Sequence, residues 1–284
     1  MSLAEQPRPP GILVFDSGLG GLTVLGEIDR LRPEARRLYV ADDAVFPYGD
    51  LAETALVDRV TAVLEPLVAA HRPDVVVVAC NTASTAVLPT LRARWPALAV
   101  VGTVPAIKPA AAASLTRRIS VLATPGTVAR DYTQDLVRSF ASGCIVDLVG
   151  APRLAALAEE ALRGGSVADD AVRDEIAAAF VDSDGRRTDT VVLACTHYPL
   201  LIPVFDRVAP WPVTYVNPAP AIARRVDAVL AERGFEPRGP MEPRPLRAGE
   251  AVFTSGRSPT PPLARVLADR GLVPHLRAYQ IHTS

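Results

Sequence analysis

Two cysteines close two matching stretches of this chain. Arg72-Pro-Asp74-Val-Val76-Val77-Val-Ala79-Cys80 agrees with Arg187-Thr-Asp189-Thr-Val191-Val192-Leu-Ala194-Cys195 at six of nine positions without a gap. Polar residues follow each thiol, Asn81-Thr82 in the first stretch and Thr196-His197 in the second. A thiol with an ordinary pKa near ~8.5 has both forms within reach at neutral pH, so it can act as a general acid or base. The amides, hydroxyls and free N–H groups beyond it make a small anion-binding surface, suited to a carboxylate. Two such thiols facing one carbon atom could take a proton from one side and return one to the other, provided one enters as thiolate and the other as thiol. His197 stands beside Cys195 and can share its proton; Asp16, at the end of an apolar run, could do so for Cys80. Taken singly, each has a plainer reading. His197 is then an ordinary polar residue, Asp16 a helix cap, and the repeat a pair of hydrophobic strands ending in buried cysteine.

Other residues sort around this pair. Cys144, in Ser142-Gly143-Cys144-Ile145, lacks polar company and reads as core. The loop Asp42-Asp43-Ala44-Val45-Phe46-Pro47-Tyr48-Gly49 has the proline and glycine of a shaped turn, with Tyr48 able to wall a cleft; the alternative is a plain surface turn. Asp16-Ser17-Gly18-Leu19-Gly20-Gly21 fails as a dinucleotide fingerprint, because Thr23 takes the place of the third glycine, and no P-loop follows. His71 precedes a strand at the opposite sheet edge, while His275 and His282 lie in the C-terminal tail, so these three read as structural or solvated.

The elements that must position the thiols alternate along the chain. Short β-branched runs at Ile12–Phe15, Leu38–Val40, Val75–Ala79, Ala99–Val101, Ile119–Leu122, Ile145–Val149, Val191–Ala194 and Val213–Val216 are separated by amphipathic segments. Continuous apolar runs suit strands covered on both faces, so the pattern predicts a doubly wound α/β fold with parallel sheets. Ligands in such sheets bind beyond the carboxyl ends of strands, where Cys80 and Cys195 both fall. The repeat predicts two related α/β units facing each other across a cleft. Pro66 and Pro89 interrupt the helical patterns Glu53–Arg72 and Ser84–Trp95 and are expected to kink or end them. Residues 235–250 are rich in Pro, Gly and Arg and read as a loop before a last strand–helix pair.

Composition narrows the partners. The chain of 284 residues is 49% hydrophobic and 21% charged with a net charge of −1, which fits a globular protein and gives no basic surface for nucleic acid or an anionic membrane. Its N-terminal segment has no apolar core of a secretory signal, and no apolar run is long enough to span a bilayer. An odd, widely spaced set of three cysteines suits free thiols in a reducing cytoplasm, with a small molecule as the expected partner. Lys108 is the only lysine, so a pyridoxal-phosphate enzyme would have to use it. A Cys195–His197 hydrolase is a further alternative, but it leaves the Cys80 repeat unused.

The motifs FDSGLGGLTV (15–24), YVADDAVFPYG (39–49), VVVACNTAST (76–85), VGTVPAIKPA (101–110), VLATPGTV (121–128) and VLACTHYPLL (192–201) resemble the glutamate racemases of the aspartate/glutamate racemase superfamily, in the same order and over about residues 11–230. The resemblance implies a cofactor-independent, two-base interconversion of L- and D-glutamate for peptidoglycan. It implies Cys80 and Cys195 as proton donor/acceptors assisted by Asp16 and His197, with Cys195 acting on the L-isomer and Cys80 on the D-isomer. Ser17, Tyr48, Gly49, Asn81, Thr82 and Thr196 match substrate-binding positions, and Glu159 matches a frequent glutamate. Two domains are implied, the first formed by residues 11–107 plus 217–284 and the second by 108–216, often in a homodimer. Asp43, Asn217-Pro218 and Ala151 depart from the commoner threonine, Asp-Ser and cysteine and touch neither thiol motif. Aspartate or another small acidic substrate stays open, as does a binding or inhibitory protein on the same scaffold.

Overall fold

The computed structural model describes residues 8–236 and 246–275. Twelve strands are present among them: β1 (Gly11–Asp16), β2 (Arg36–Ala41), β3 (Val75–Val78), β4 (Ala99–Gly102), β5 (Arg118–Ala123), β6 (Ile145–Gly150), β7 (Asp182–Ser183), β8 (Arg186–Arg187), β9 (Thr190–Ala194), β10 (Thr214–Val216), β11 (Gly249–Phe253) and β12 (Leu272–His275). They form a six-stranded sheet in the order β12-β11-β2-β1-β3-β4, a four-stranded sheet in the order β10-β9-β5-β6, and a small β7-β8 hairpin. Every pairing in the two larger sheets is parallel. The protein is thus a doubly wound α/β fold with two parallel sheets.

Successive residues of a strand point to opposite faces, and here both faces are apolar. Ile12 and Val14 join one hydrophobic cluster, while Leu13 and Phe15 join the cluster on the other side of the same sheet. The second sheet repeats this, with Val191 and Leu193 on one side and Val192 and Ala194 on the other. That is why these strands read as unbroken apolar runs.

The four strands β2-β1-β3-β4 and the four strands β6-β5-β9-β10 have the same order and connections, which accounts for the sequence repeat. β3 and β9 occupy equivalent positions, so Cys80 and Cys195 leave equivalent strand ends. The repeated aspartate has a job at the other end. Asp74 accepts the N–H of Gly11 at the start of β1, at 2.7 Å. Asp189 accepts the N–H groups of Leu115 and Thr116 just before β5, at 2.7 and 2.8 Å.

Two local expectations are corrected. After α1 (Leu22–Leu31), the helices α2 (Glu53–His71) and α3 (Asn81–Arg94) continue through Pro66 and Pro89, so neither proline ends its helix. Each proline removes one backbone hydrogen bond, but Val60, Val63, Leu64 and Leu67 of α2, and Ala83, Val87 and Leu91 of α3, bury a continuous face that holds the helix together. The C-terminal region also has one strand more than expected, because helix Pro261–Asp269 leads into β12. Only Leu272 of β12 is buried, and Pro274 is tolerated because the strand lies at a sheet edge. His71 ends α2, and His275 sits in β12 with Nε2 3.2 Å from Glu250. His282, residues 1–7 and the centre of the 235–250 loop, residues 237–245, lie outside the described residues.

Candidate active site

A narrow, nearly closed cavity of about 10 Å³ lies where the carboxyl ends of the two sheets meet. Its walls come from the ends of β1 (Ser17), β2 (Phe46, Pro47, Tyr48, Gly49), β3 (Cys80, Asn81, Thr82), β5 (Thr124) and β9 (Cys195, Thr196, His197), with Ala155 closing one side. Both thiols line this one space. Cys144 is elsewhere, half-buried against the core near Ala111. Lys108 is not on the cavity wall; its ammonium sits 5.5 Å from the centre of the Phe140 ring.

Cys80 is the residue before the first turn of α3, and its carbonyl accepts the Ser84 N–H at 2.9 Å. Its sulfur lies 3.6 Å from the Ser17 hydroxyl. Burial pushes the Cys80 thiol up to about 12, and the nearby charge of Asp16 adds to the effect against the opposing Ala83 N–H and Ser17 hydroxyl. Cys80 therefore rests as a neutral thiol. Asp16 makes no hydrogen bond to it. Its carboxylate accepts the Gly18 N–H and, from the other half of the molecule, the Thr196 hydroxyl, each at 3.2 Å. Burial raises the Asp16 carboxyl, and the charge on His197 works against that rise.

Cys195 has ionic neighbours. Its sulfur is 3.7 Å from Nδ1 of His197, and Nε2 of the same ring is 2.9 Å from the Glu159 carboxylate. Burial alone would lower the His197 pKa, but hydrogen bonds to Cys195 and Glu159 outweigh it and hold the ring well above the ordinary histidine value. Burial would raise Glu159, yet its bond to His197 and the Leu19 N–H keep it below the usual carboxylate range. His197 and Glu159 are thus a close buried pair, and Nε2 also meets the Gly20 N–H at 3.1 Å. Arg163 adds a contact to the other oxygen of Glu159 at 3.2 Å.

Between the thiols the wall is polar and underused. Both the oxygen and the nitrogen of the Asn81 side chain are buried without a partner. Leaving a buried amide unpaired costs about 1–3 kcal/mol for each group, and no protein group supplies the partner here. The hydroxyls of Thr82, Thr124 and Thr127 form a ring with separations of 3.0, 3.0 and 3.1 Å, joining α3 to the segment after β5. Tyr48 is buried, and its hydroxyl donates to Asp42.

The two halves approach closely around the cavity. A Cβ at Gly18 would strike the Glu159 carboxylate, one at Gly20 the His197 ring and the Thr196 hydroxyl, and one at Gly126 the Gly49 carbonyl. Gly18 and Gly20, in the segment that fails as a dinucleotide fingerprint, provide the clearance of this seam.

All ten residues singled out in the sequence, Asp16, Ser17, Tyr48, Gly49, Cys80, Asn81, Thr82, Cys195, Thr196 and His197, come together here, with Asp16 behind the wall rather than on it. Sequence reasoning missed Phe46, Thr124 and Ala155 and underweighted Glu159. The strand equivalence contained a signal for one of these: β1 and β5 are both six residues long, so Thr124 is the counterpart of Ser17.

Comparison with known proteins bears on this site. A family model described as Asp/Glu/Hydantoin racemase matches residues 28–226. A glutamate racemase of Sinorhizobium medicae is 55% identical over 247 residues, 87% of this chain and 89% of that protein. One from Brucella anthropi is 51% identical over 272 residues, 96% of this chain and 95% of its own. Among solved structures, Escherichia coli glutamate racemase in complex with L-glutamate and the activator UDP-MurNAc-Ala superposes with a TM-score of 0.83 at 36% identity, covering 94% of this chain and 98% of that one. A glutamate racemase isoform from Bacillus anthracis gives 0.78 at 25% identity, covering 95% and 98%.

Proposed function

Because the chain belongs to the Asp/Glu/Hydantoin racemase family, we propose that it is a glutamate racemase, an isomerase that interconverts L- and D-glutamate by proton transfer at Cα between Cys80 and Cys195. The observation that carries this reading is that two cysteines from equivalent strand ends of two like halves line one cavity. One group for each face of a stereocentre is the simplest machine for inversion. The role of the product in cell-wall peptidoglycan comes with the family.

For the L-isomer, Cys195 enters as thiolate and Cys80 as thiol. The Cα–H bond breaks, its proton passes to the Cys195 sulfur, and its electron pair stays on Cα, shared with the carboxylate. The Cys80 S–H bond then breaks on the opposite face and a new C–H bond forms, leaving Cys80 as thiolate. The D-isomer runs the same steps in reverse. The neutral form that burial favours for Cys80 is the form needed for the first direction. Protonated His197 donates from Nδ1 toward Cys195 and is held in place by Glu159. Asp16 assists from behind the wall, positioning Thr196 and opposing ionisation of Cys80.

Asn81, Thr82, Thr196 and Ser17 supply donors for the substrate carboxylates, while Tyr48 and Gly49 shape the wall. Fixed donors of this kind stabilise the negative charge that grows on the carboxylate as Cα loses its proton. No cofactor takes part in these steps. We place the domain boundaries at residues 107/108 and 216/217, so that the first domain is completed by 217–284. No described helix is long and apolar enough to cross a membrane; a cytoplasmic homodimer is proposed.

The direct test is circular dichroism of L- or D-glutamate incubated with the purified protein, with aspartate as the comparison substrate. Loss of signal toward zero from either enantiomer, without added cofactor, is the expected result. An unchanged signal from both would reduce the chain to a binding protein on the same scaffold.

A further inference from the structure

Phe46 belongs to the loop after β2, on the first half of the molecule, yet it packs against the hydrophobic cluster of the second half that contains Leu154, Ala155, Cys195 and Tyr198. Its ring centre lies 5.4 Å from that of the His197 imidazole, with the planes tilted by 47°. The ring lines the cavity and is itself half-buried. It leaves little slack: a Cβ on Gly18 would stand 3.1 Å from Phe46 Cδ2.

The loop is pinned from behind. Buried Asp42 accepts two bonds from Arg59, at 2.8 and 2.5 Å, one from Thr254 at 2.6 Å and one from Tyr48. Asp43 accepts the Ser255 N–H and hydroxyl at 2.9 and 2.7 Å. So many bonds to α2 and the end of β11 fix where Phe46 projects. An aromatic hydrocarbon held at that boundary has no group that can relay a proton, and it occupies space through which water would reach the Cys195–His197 pair.

We propose that Phe46 is a proton shield, a positioning residue that keeps solvent from exchanging with the Cys195 thiol while the carbanion exists. This rests on the two-thiol reading above. When Cys195 has taken the Cα proton, that proton can return unchanged or exchange with solvent first. In heavy water, exchange puts deuterium on sulfur, and return then makes a C–D bond in the recovered substrate. A sealed thiol returns the original proton, whereas an unsealed one returns the label. Cys80 lies beside Ser17 and belongs to the other hydrophobic cluster, not to the one on which this ring packs.

The experiment uses the whole protein in heavy water with protiated L- or D-glutamate at low conversion, and deuterium at Cα is read by mass spectrometry in both recovered substrate and product. Wild-type protein is expected to label product and hardly any recovered substrate. Phe46→Ala raises the label in recovered L-glutamate several-fold and leaves recovered D-glutamate as it was. Phe46→Val, a milder truncation, gives a smaller shift in the same direction, and Phe46→Leu returns it toward wild type. Labelling ratios identical to wild type in the alanine and valine variants would overturn the shield, as would extra label in recovered D-glutamate. Heavy labelling of recovered substrate by the wild-type protein itself is a different failure, that of the two-thiol reading.

Discussion

Cys80 and Cys195 end equivalent strands of equivalent sheets, but their surroundings are not equivalent. Cys80 meets a neutral hydroxyl, Ser17, and the first turn of α3, with a carboxylate nearby that opposes its ionisation. Cys195 meets an imidazole that is itself paired with a carboxylate. The difference teaches how a duplicated scaffold can serve an inversion. Backbone symmetry brings the two sulfurs to one cavity, and side-chain asymmetry gives each its own set of partners.

The strongest way to break the comparison is to remove each sulfur in turn. Cys80→Ala and Cys195→Ala should each lower racemisation by roughly 10⁴-fold, the upper range for loss of an acid/base group, with far-ultraviolet circular dichroism unchanged. Substantial activity left in either variant means that the two walls are not both needed. Next in size is His197→Asn, expected to cost roughly 10²-fold in kcat/KM. Because enantiomers have equal free energy, kcat/KM must fall by the same factor from L and from D; only kcat and KM taken separately can tell the walls apart. Unequal kcat/KM losses would point to a faulty assay or a second reaction.

Glu159→Gln sharpens the comparison through pH. Glu159 raises the His197 pKa, so its removal lowers that value. The proton on His197 is present below its pKa and lost as pH rises through it, so the alkaline limb of kcat/KM should move to lower pH. A loss of roughly ten-fold at neutral pH is expected, since a charge-assisted hydrogen bond worth about 1.5–3 kcal/mol gives way to a neutral one. A profile that does not move would separate Glu159 from the proton chemistry. The smallest effect belongs to Ser17→Ala, a few-fold loss of kcat/KM with no displacement of the alkaline limb, because the hydroxyl it removes serves the other wall.

Much of this was legible in the residues. The apolar runs gave away strands covered on both faces, and the Cys80 and Cys195 repeat pointed to two like units. What stayed hidden depended on contacts between distant segments. Phe46 sits in a motif noticed for Tyr48, yet nothing local says that its ring crosses to the other half. Glu159 lies mid-helix in Leu154–Leu162, where glutamate is usually solvated; its burial comes from the Leu19 N–H and His197, 140 and 38 residues away. Asp16 is near Cys80, but the hydrogen bond its carboxylate accepts from the Thr196 hydroxyl, 180 residues on, had no local signal. The prolines in α2 and α3 misled for the converse reason, because local helix-breaking chemistry was outweighed by burial.

The second sheet is drawn from one unbroken stretch, residues 118–216, whereas the first must wait for β11 and β12, more than 140 residues after β4. On a ribosome, where the chain emerges from its beginning and compact units form as they appear, the Cys195 wall can therefore be finished while the Cys80 sheet still lacks its last two strands. Birth order thus runs against reading order: the half encoded first is the half completed last.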